Sequence, residues 1–134
     1  MNYWLMKSEP NTYGWADLVK DKKTFWDGVR NYQARNNMKE MKVGDLALYY
    51  HSVNEKCVVG IAKIVKEYYQ DPTTDDDRWV VVDIAPVQEL KNPVTLAMVK
   101  AEERLSEMVL VKNSRLSVQP VKKEEFDLII GMGH

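Results

Sequence analysis

The chain has 134 residues, of which 45% are hydrophobic and 29% are charged, and its net charge at neutral pH is -1. This size and composition favour one soluble globular domain and exclude a disordered chain. The near-zero net charge excludes a protein that binds nucleic acid mainly through overall basicity.

The first third of the chain is predicted to hold a strand, a short helix and a polar segment. The apolar residues 3–6 predict a strand, which ends before Pro10. Thr12 is placed to open a helix, because apolar residues then recur at spacings of three and four up to residue 19. Residues 27–38 are polar, rich in side-chain amides and only weakly periodic, so we assign them no regular element and suspect a binding role.

Three strands are predicted in the middle of the chain, over residues 46–50, 57–69 and 78–90, because these stretches are rich in β-branched and aromatic residues. The short connector after the first of them predicts an antiparallel hairpin with the second. Gly60 marks a bulge or a barrel bend inside the second strand. The polar insert at residues 70–77 is predicted to be a loop.

The last third is predicted to combine helical turns with one strand. Residues 95–101 and 105–110 predict short helical turns, and residues 122–130 predict an amphipathic helix. Residues 115–120 alternate like a strand that Pro120 ends. Together the elements predict an α+β fold: a small, curved, mostly antiparallel sheet or barrel with helices packed on its outside.

Motifs of common enzyme classes do not occur in the sequence: GxSxG, GxxxxGK[ST] and GxGxxG are all absent. His51 and Ser52 are neighbours on a predicted strand, so they point to opposite faces and do not suit a catalytic pair. The single Cys57 is flanked by valines and is predicted to be a small apolar core residue. With two histidines and one cysteine in the chain, we expect no catalytic residue, no metal site and no cofactor.

Aromatic residues give the strongest indication of a ligand. Trp26 stands between Phe25 and Asp27, so a large π-face lies beside a carboxylate; this suits stacking on a flat base, although Trp26 suits a core position equally well. Arg115 and Ser117 share a strand face and suit a phosphate or carboxylate clamp, or else a solvated arginine. Residues 1–66 carry 11 Lys and Arg against 7 Asp and Glu, which permits a locally basic face.

Five segments together carry a family resemblance. They are WLMKSEP at residues 4–10, WDGVRNYQARN at 26–36, YHS at 50–52, VGIA at 59–62 and RLSVQP at 115–120. In order and spacing they closely resemble the EVE domain family over essentially the whole chain. The resemblance implies one EVE domain over residues 1–134, with a PUA-like fold in which peripheral helices surround a small β-barrel.

The same resemblance implies a ligand and the residues that bind it. EVE domains resemble the YTH and ASCH groups, and the family is associated with pockets for modified bases, especially modified cytosines, in DNA or RNA. The residues implied for base binding are Trp26, Asp27, Ser8, Asn31, Lys7 and Glu9. The residues implied for the pocket wall or a phosphate contact are Tyr49, His51, Arg30, Arg35, Arg115 and Ser117. By likeness to YTH domains, Trp79 or Tyr69 is the candidate for a second aromatic wall.

We therefore expect a non-catalytic module that binds a modified nucleobase and acts as a cytoplasmic monomer without membrane association. Residues 1–7 show no pattern typical of a signal peptide. An alternative from another class is a hydrolase acting on a modified nucleoside, an ASCH-like amidohydrolase that uses Lys7 as base, Glu9 as orienting group and Ser8 as helper. A third alternative is a protein-interaction module whose aromatic pocket holds a peptide or a small molecule.

Overall fold

The computed structural model describes residues 1–53, 55–113 and 115–133. Its elements, with a 3-10 turn at Glu103–Leu105 between α4 and α5, are β1 (Tyr3–Ser8), α1 (Pro10–Tyr13), α2 (Trp15–Asp21), β2 (Thr24–Phe25), α3 (Tyr32–Glu40), β3 (Leu46–His51), β4 (Cys57–Gln70), β5 (Val80–Thr95), α4 (Leu96–Ala101), α5 (Val109–Lys112), β6 (Val118–Val121) and α6 (Lys123–Met132). Within the described ranges, no helix has the length and apolar character that a membrane crossing requires.

Six strands of the described residues form one sheet in the order β2-β5-β4-β3-β1-β6. All neighbouring strands are antiparallel except β1 and β3, which run parallel. The predicted hairpin between β3 and β4 is confirmed. Because β2 and β6 stand at the two ends of the order, the hydrogen-bonded sheet is open rather than closed into a complete barrel.

Alternation along the strands gives the sheet two apolar faces. Trp4 and Met6 of β1 point to one face and Leu5 to the other. We call the first cluster the aromatic core; it comprises Trp4, Met6, Trp15, Leu18, Trp26, Val29, Ala34, Met38, Met41, Ala47, Tyr49, Ala62, Ile64, Val80, Val82, Ile84, Leu116 and Val118. The second is the aliphatic core; it comprises Leu5, Leu48, Tyr50, Val58, Ile61, Leu90, Val94, Val99, Leu105, Met108, Leu110, Val121, Phe126 and Ile129.

The predicted bulge at Gly60 is confirmed. The pairing register of β4 shifts at this point against both β3 and β5. The indole of Trp15 packs against the bulge, since a Cβ added at Gly60 would lie 2.6 Å from atoms of the Trp15 ring. A glycine is therefore what allows α2 to place its indole against the sheet.

The N-terminal elements differ from the prediction in three places. The strand β1 continues to Ser8, because its last two residues pair with Tyr50 and His51 of β3. The single helix predicted from Thr12 is instead two short helices separated at Gly14. The polar segment 27–38, to which no element was assigned, contains the start of α3.

Three elements in the second half of the chain also differ from the prediction. The strand predicted over residues 78–90 runs over Val80–Thr95. Pro120 does not end β6 but lies inside it, which an edge strand tolerates because the missing N–H faces no further neighbour. The helical turn predicted at residues 105–110 is replaced by the 3-10 turn and α5.

Cys57 is buried, as the valines beside it predicted, and its thiol lies 3.5 Å from the carbonyl oxygen of Glu55. Burial, with a smaller contribution from Glu55, raises the pKa of the Cys57 thiol. A raised pKa keeps the sulfur protonated at neutral pH and therefore a weak nucleophile. This side chain belongs to the packing of the sheet.

Candidate functional site

A cavity of about 600 Å³ lies where the end of β1 meets the segment that follows β2. We call it the Trp26 cavity; its lining residues are Lys7, Ser8, Glu9, Thr12, Tyr13, Thr24, Phe25, Trp26, Asp27, Gly28, Val29, Arg30 and Ser117. The volume is in the range of small-molecule pockets. Among the predicted site residues, the structure brings together Lys7, Ser8, Glu9, Trp26, Asp27, Arg30 and Ser117.

Trp26 packs in the aromatic core and borders the cavity at the same time. Its side chain is only 8% exposed, and its ring meets Tyr49 edge to face with centroids 5.5 Å apart. Its backbone amide donates a hydrogen bond of 2.9 Å to the carbonyl oxygen of Val82. Trp26 is therefore a core residue that also lines the cavity, and its fixed ring would lose little conformational entropy on binding a ligand.

Tyr49 lies behind this wall and does not line the cavity. Its side chain is 1% exposed, and its hydroxyl donates to the carbonyl oxygen of Tyr13 at 2.8 Å. Burial is the main cause that raises the pKa of the Tyr49 hydroxyl. The hydroxyl therefore stays protonated, and Tyr49 serves to position the ring of Trp26.

His51 also stands outside the cavity. Its Nε2 accepts a hydrogen bond of 3.2 Å from the backbone amide of Trp15, and its ring meets Tyr49 edge to face. Burial lowers the pKa of His51, against an opposing effect of Glu55. An accepting Nε2 requires the neutral imidazole, so His51 links β3 to the start of α2. Ser52 bonds to the backbone of Ser8 instead, as expected for neighbours on opposite faces.

The end of β1 supplies the polar groups of the cavity. The Ser8 hydroxyl donates to the carbonyl oxygen of Tyr13 at 2.5 Å, so toward a ligand its oxygen could act only as an acceptor. Burial, and then the charge of Lys56, lower the pKa of the Lys7 ammonium. Glu9 and Asp27 are exposed at the rim. The cavity thus combines an indole wall with donors and acceptors of both charges.

Asp71 holds the wall of the cavity in place, a role that the sequence analysis missed. This carboxylate is fully buried and accepts from the Gly28 amide at 3.2 Å and the Arg30 guanidinium at 3.0 Å. Burial by itself would raise the pKa of Asp71, but the hydrogen bonds from Thr73, Arg30 and Gly28 outweigh it and lower that pKa. The spacing Asp-x-Thr, typical of a turn in which the carboxylate binds the backbone two residues on, was the available signal.

Besides Tyr49 and His51, three more predicted site residues lie outside the Trp26 cavity. The side-chain oxygen of Asn31 caps α3 by accepting from the Ala34 amide at 2.9 Å. Arg35 donates to the Arg78 carbonyl oxygen at 3.3 Å. Arg115 lines a separate cavity near the end of β1. Asn31 and Arg35 are therefore occupied by local contacts, and neither lines the Trp26 cavity.

Neither candidate for a second aromatic wall lines the cavity. The Trp79 ring packs on Tyr32 with centroids 5.2 Å apart, and the guanidinium of Arg30 lies 5.6 Å from its centroid. The hydroxyl of Tyr69 donates to Asp83 at 2.5 Å. Besides Trp26, the aromatic residues that line the cavity are Tyr13 and Phe25. Phe25 is 41% exposed.

Comparisons with known proteins place the chain among relatives that span nearly all of it. The model of the EVE domain matches residues 2–132. Thymocyte nuclear protein 1 of Homo sapiens is 37% identical, with 98% of this chain and 73% of that protein covered. The protein of the same name in Danio rerio is 39% identical, with 96% and 71% covered.

Solved structures agree with this fold. A Rhodopseudomonas palustris protein is 50% identical and superposes with a TM-score of 0.94, covering 99% of this chain and 93% of that one. Human THYN1, in complex with 5-methylcytosine containing DNA, is 37% identical with a TM-score of 0.89, covering 100% and 98%. A YTH domain of Zygosaccharomyces rouxii, at 13% identity and a TM-score of 0.63 over 98% and 86%, shares the fold. The predicted PUA-like α+β class is confirmed.

Proposed function

The chain belongs to the EVE domain family, and we propose that it is a non-catalytic module that binds a modified base of DNA or RNA, modified cytosine above all, in the Trp26 cavity. One observation carries the proposal: the human relative, 37% identical over 100% of this chain, is solved in complex with 5-methylcytosine containing DNA. The cavity beside a rigid indole supplies the place for such a base.

The lining of the cavity suits a flat heterocycle with polar edges. Stacking on an aromatic side chain contributes about 1–3 kcal/mol per base and tolerates any base. Discrimination among bases must then come from hydrogen bonds at the edges, for which Ser8 and Asp27 are placed. A methyl group adds only its burial, on the order of 1 kcal/mol. The preference for a methylated base over the plain one is therefore about fivefold to tenfold.

A base enters such a cavity only after it leaves its stack. Extrusion from a duplex costs a few kcal/mol and costs least at a mismatched or unpaired position. With a net charge of -1, the chain has little general attraction for phosphates to offset this cost. We therefore expect single strands or unpaired positions to bind more tightly than intact duplexes.

The proposal is tested with short oligonucleotides that carry 5-methylcytosine, 5-hydroxymethylcytosine or plain cytosine. Trp26→Phe keeps an aromatic ring in the core but shortens the wall, so it should lower the affinity for modified strands and reduce the preference. Trp79→Phe is the matched control, since Trp79 does not line the cavity, and it should leave the preference intact. Equal affinity for all strands, or a preference that Trp26→Phe leaves unchanged, would overturn the proposal.

One observation favours the hydrolase alternative enough to be tested alongside. Lys7, Ser8 and Glu9 line the same cavity, and the lowered pKa of Lys7 is a property of a general base. Against it, the Ser8 hydroxyl is directed to a backbone carbonyl. Release of free acid from acylated nucleosides, abolished by Lys7→Ala, would establish hydrolysis; no release above the buffer rate agrees with a binding module.

A further inference from the structure

The short helix α1 forms one wall of the Trp26 cavity without a buried residue of its own. Thr12 and Tyr13 of α1 line the cavity, and none of the four residues of this helix is buried. A helix of one turn is not stable by itself in water. Apart from the partial packing of Tyr13 on the aromatic core, the position of α1 therefore depends on hydrogen bonds where it meets α2. We call residues 13–15 the α1–α2 junction.

The carbonyl oxygen of Tyr13 is the centre of this junction. It accepts hydrogen bonds from the hydroxyl of Ser8 at 2.5 Å and from the hydroxyl of Tyr49 at 2.8 Å. Ser8 lines the cavity, and the ring of Tyr49 supports the ring of Trp26 edge to face. The position of this one carbonyl group therefore affects both a polar group and the aromatic wall of the cavity.

His51 holds the α1–α2 junction against the sheet. The backbone amide of Trp15 donates to the Nε2 atom of His51 at 3.2 Å. The imidazole also meets the ring of Tyr49 edge to face, with centroids 5.9 Å apart. His51 lies beside the end of β1, because it pairs with Ser8 in the sheet, but it does not line the cavity. Any effect of His51 on a bound base must therefore pass through the junction and Tyr49.

Only one protonation state of His51 can accept the hydrogen bond of the Trp15 amide. The neutral imidazole has an acceptor nitrogen, whereas both nitrogens of the imidazolium are donors. A proton on Nε2 would therefore replace the hydrogen bond by two N–H groups that face each other. Burial lowers the pKa of His51, against an opposing effect of Glu55, so the imidazole is neutral at pH 7 and becomes charged in weak acid.

The elements around His51 bring several other titratable groups close to it. They are Glu55 after β3, Cys57 opposite it on β4, Asp17 on α2, Tyr13 on α1 and Tyr49 on β3. The pKa values of the thiol and of both phenols are raised, so these three groups stay uncharged below pH 8. The Asp17 carboxylate accepts from the Gly14 amide at 2.8 Å. Within this group of residues, the histidine is the side chain whose charge change falls between about pH 5 and pH 8.

We propose that neutral His51 is a positioning residue for base binding: it holds the α1–α2 junction, and through it Ser8 and Trp26, in the geometry that receives a modified base. Protonation of His51 releases the junction and weakens binding. The inference rests on the proposed function and adds a dependence on pH to it. Because such coupling is reciprocal, a bound base must also weaken the binding of the proton to His51.

The first test measures the affinity for a single strand that carries 5-methylcytosine, between about pH 7.5 and pH 5. The affinity of the wild type should fall by about threefold to tenfold toward the acid end, which is the effect of one lost hydrogen bond. His51→Gln keeps an acceptor that does not titrate, so it should show no such fall. The ratio of the two affinities removes the contribution of other groups that titrate in acid. His134→Gln, at the other histidine of the chain, is the matched control and should follow the wild type.

The second test needs no variant. The imidazole resonances of His51 are titrated with pH in the absence and in the presence of saturating 5-methyl-2′-deoxycytidine. The midpoint should move down by about 0.5–1 pH unit when the base is bound, the same threefold to tenfold coupling measured from the side of the proton. A histidine that contributed only to stability would titrate at the same midpoint in both samples.

The outcomes separate this inference from the proposed function. A methyl preference that persists while His51→Gln and the wild type show the same pH profile, or a midpoint that the base leaves unchanged, would overturn the positioning role alone. Equal affinity for methylated and plain strands at pH 7.5 would overturn the proposed function, whatever the titration of His51 shows.

Discussion

The aromatic core and the aliphatic core lie on opposite faces of one sheet, and they are built differently. In the aromatic core, the rings of Trp15 and Trp26 both meet Tyr49 edge to face at 5.5 Å. The indole N–H of Trp15 is buried there without a hydrogen-bond partner among the described residues, a cost of about 1–3 kcal/mol. The aliphatic core is packed mainly with Leu, Ile and Val. The aromatic face, which borders the Trp26 cavity, thus contains a buried indole N–H that costs stability, whereas the aliphatic face has the more uniform apolar packing.

The largest effect on stability should come from the aliphatic face. Ile129 of α6 is fully buried, so Ile129→Ala should lower the free energy of unfolding by about 2–5 kcal/mol in urea titrations. Ile130→Ala, at a partly buried neighbour on the same helix, should cost less. The folded fraction of Ile129→Ala should keep its preference for methylated over plain cytosine. A changed preference would contradict the conclusion that the aliphatic face does not take part in base binding.

A strong effect on stability is also expected at the bulge of β4, where the ring of Trp15 packs against Gly60. Gly60→Ala places a Cβ within 2.6 Å of the buried Trp15 ring, and this overpacking should cost about 1–3 kcal/mol. In contrast, Gly131→Ala in α6 meets no atom within 4 Å and should stabilise the helix by about 0.5–1 kcal/mol. Thermal unfolding of both variants checks this pair, and equal changes would show that close ring packing at Gly60 is unimportant.

A smaller loss should follow when the cavity wall is loosened. Asp71→Asn removes the charge that binds Arg30 and should lower stability by about 1–2 kcal/mol. Because the pKa of Asp71 is lowered in the folded state, the stability from its ionisation is present above its unfolded-state pKa and is lost as pH falls through the folded value. The amide of the variant cannot ionise, so the difference in stability between the two proteins should shrink in acid.

The matched control for this wall is Asp77→Asn, at an exposed carboxylate of the same loop. It should change neither stability nor base affinity measurably. Base affinity should fall in Asp71→Asn because residues 28–30 are then held less firmly. Should the two variants behave alike, the buried carboxylate would not be what positions the wall.

The smallest effect should appear at His51. Its pKa is lowered in the folded state, so the unfolded chain takes up the proton first and stability falls as pH drops through the unfolded value near 6.5. His51→Gln keeps an acceptor for the Trp15 amide and should lack this dependence between about pH 7.5 and pH 5.5. Denaturant titrations across that range check the sign; a wild type that gains stability toward the acid end would contradict it.

The sequence was sufficient to predict most strands, because alternation and β-branched composition mark both faces of a sheet. Tyr49 and Tyr50 show this, as one belongs to each core. The helix α3 escaped prediction because its residues are polar and its cap, Asn31, was taken as a ligand contact. Pro120 was misjudged because only the sheet order shows that β6 is an edge strand.

Only part of the Trp26 cavity could be predicted from the sequence, because some of its contacts join residues that are distant along the chain. Lys7, Ser8 and Trp26 were identified from motifs and do line one cavity. The contribution of Asp71 depends on a contact between two loops that are distant in sequence, which no local pattern reveals.

The most direct test of a base-binding cavity beside Trp26 uses the four tryptophans of the chain as reporters. In amide NMR spectra, titration with 5-methyl-2′-deoxycytidine should shift the indole N–H of Trp26 in a saturable way. The indole N–H of Trp4, bonded to Asp45 at 3.0 Å, and that of Trp79 outside the cavity should stay in place. A stationary Trp26 resonance at saturating nucleoside, or a shift confined to Trp79, would contradict the account.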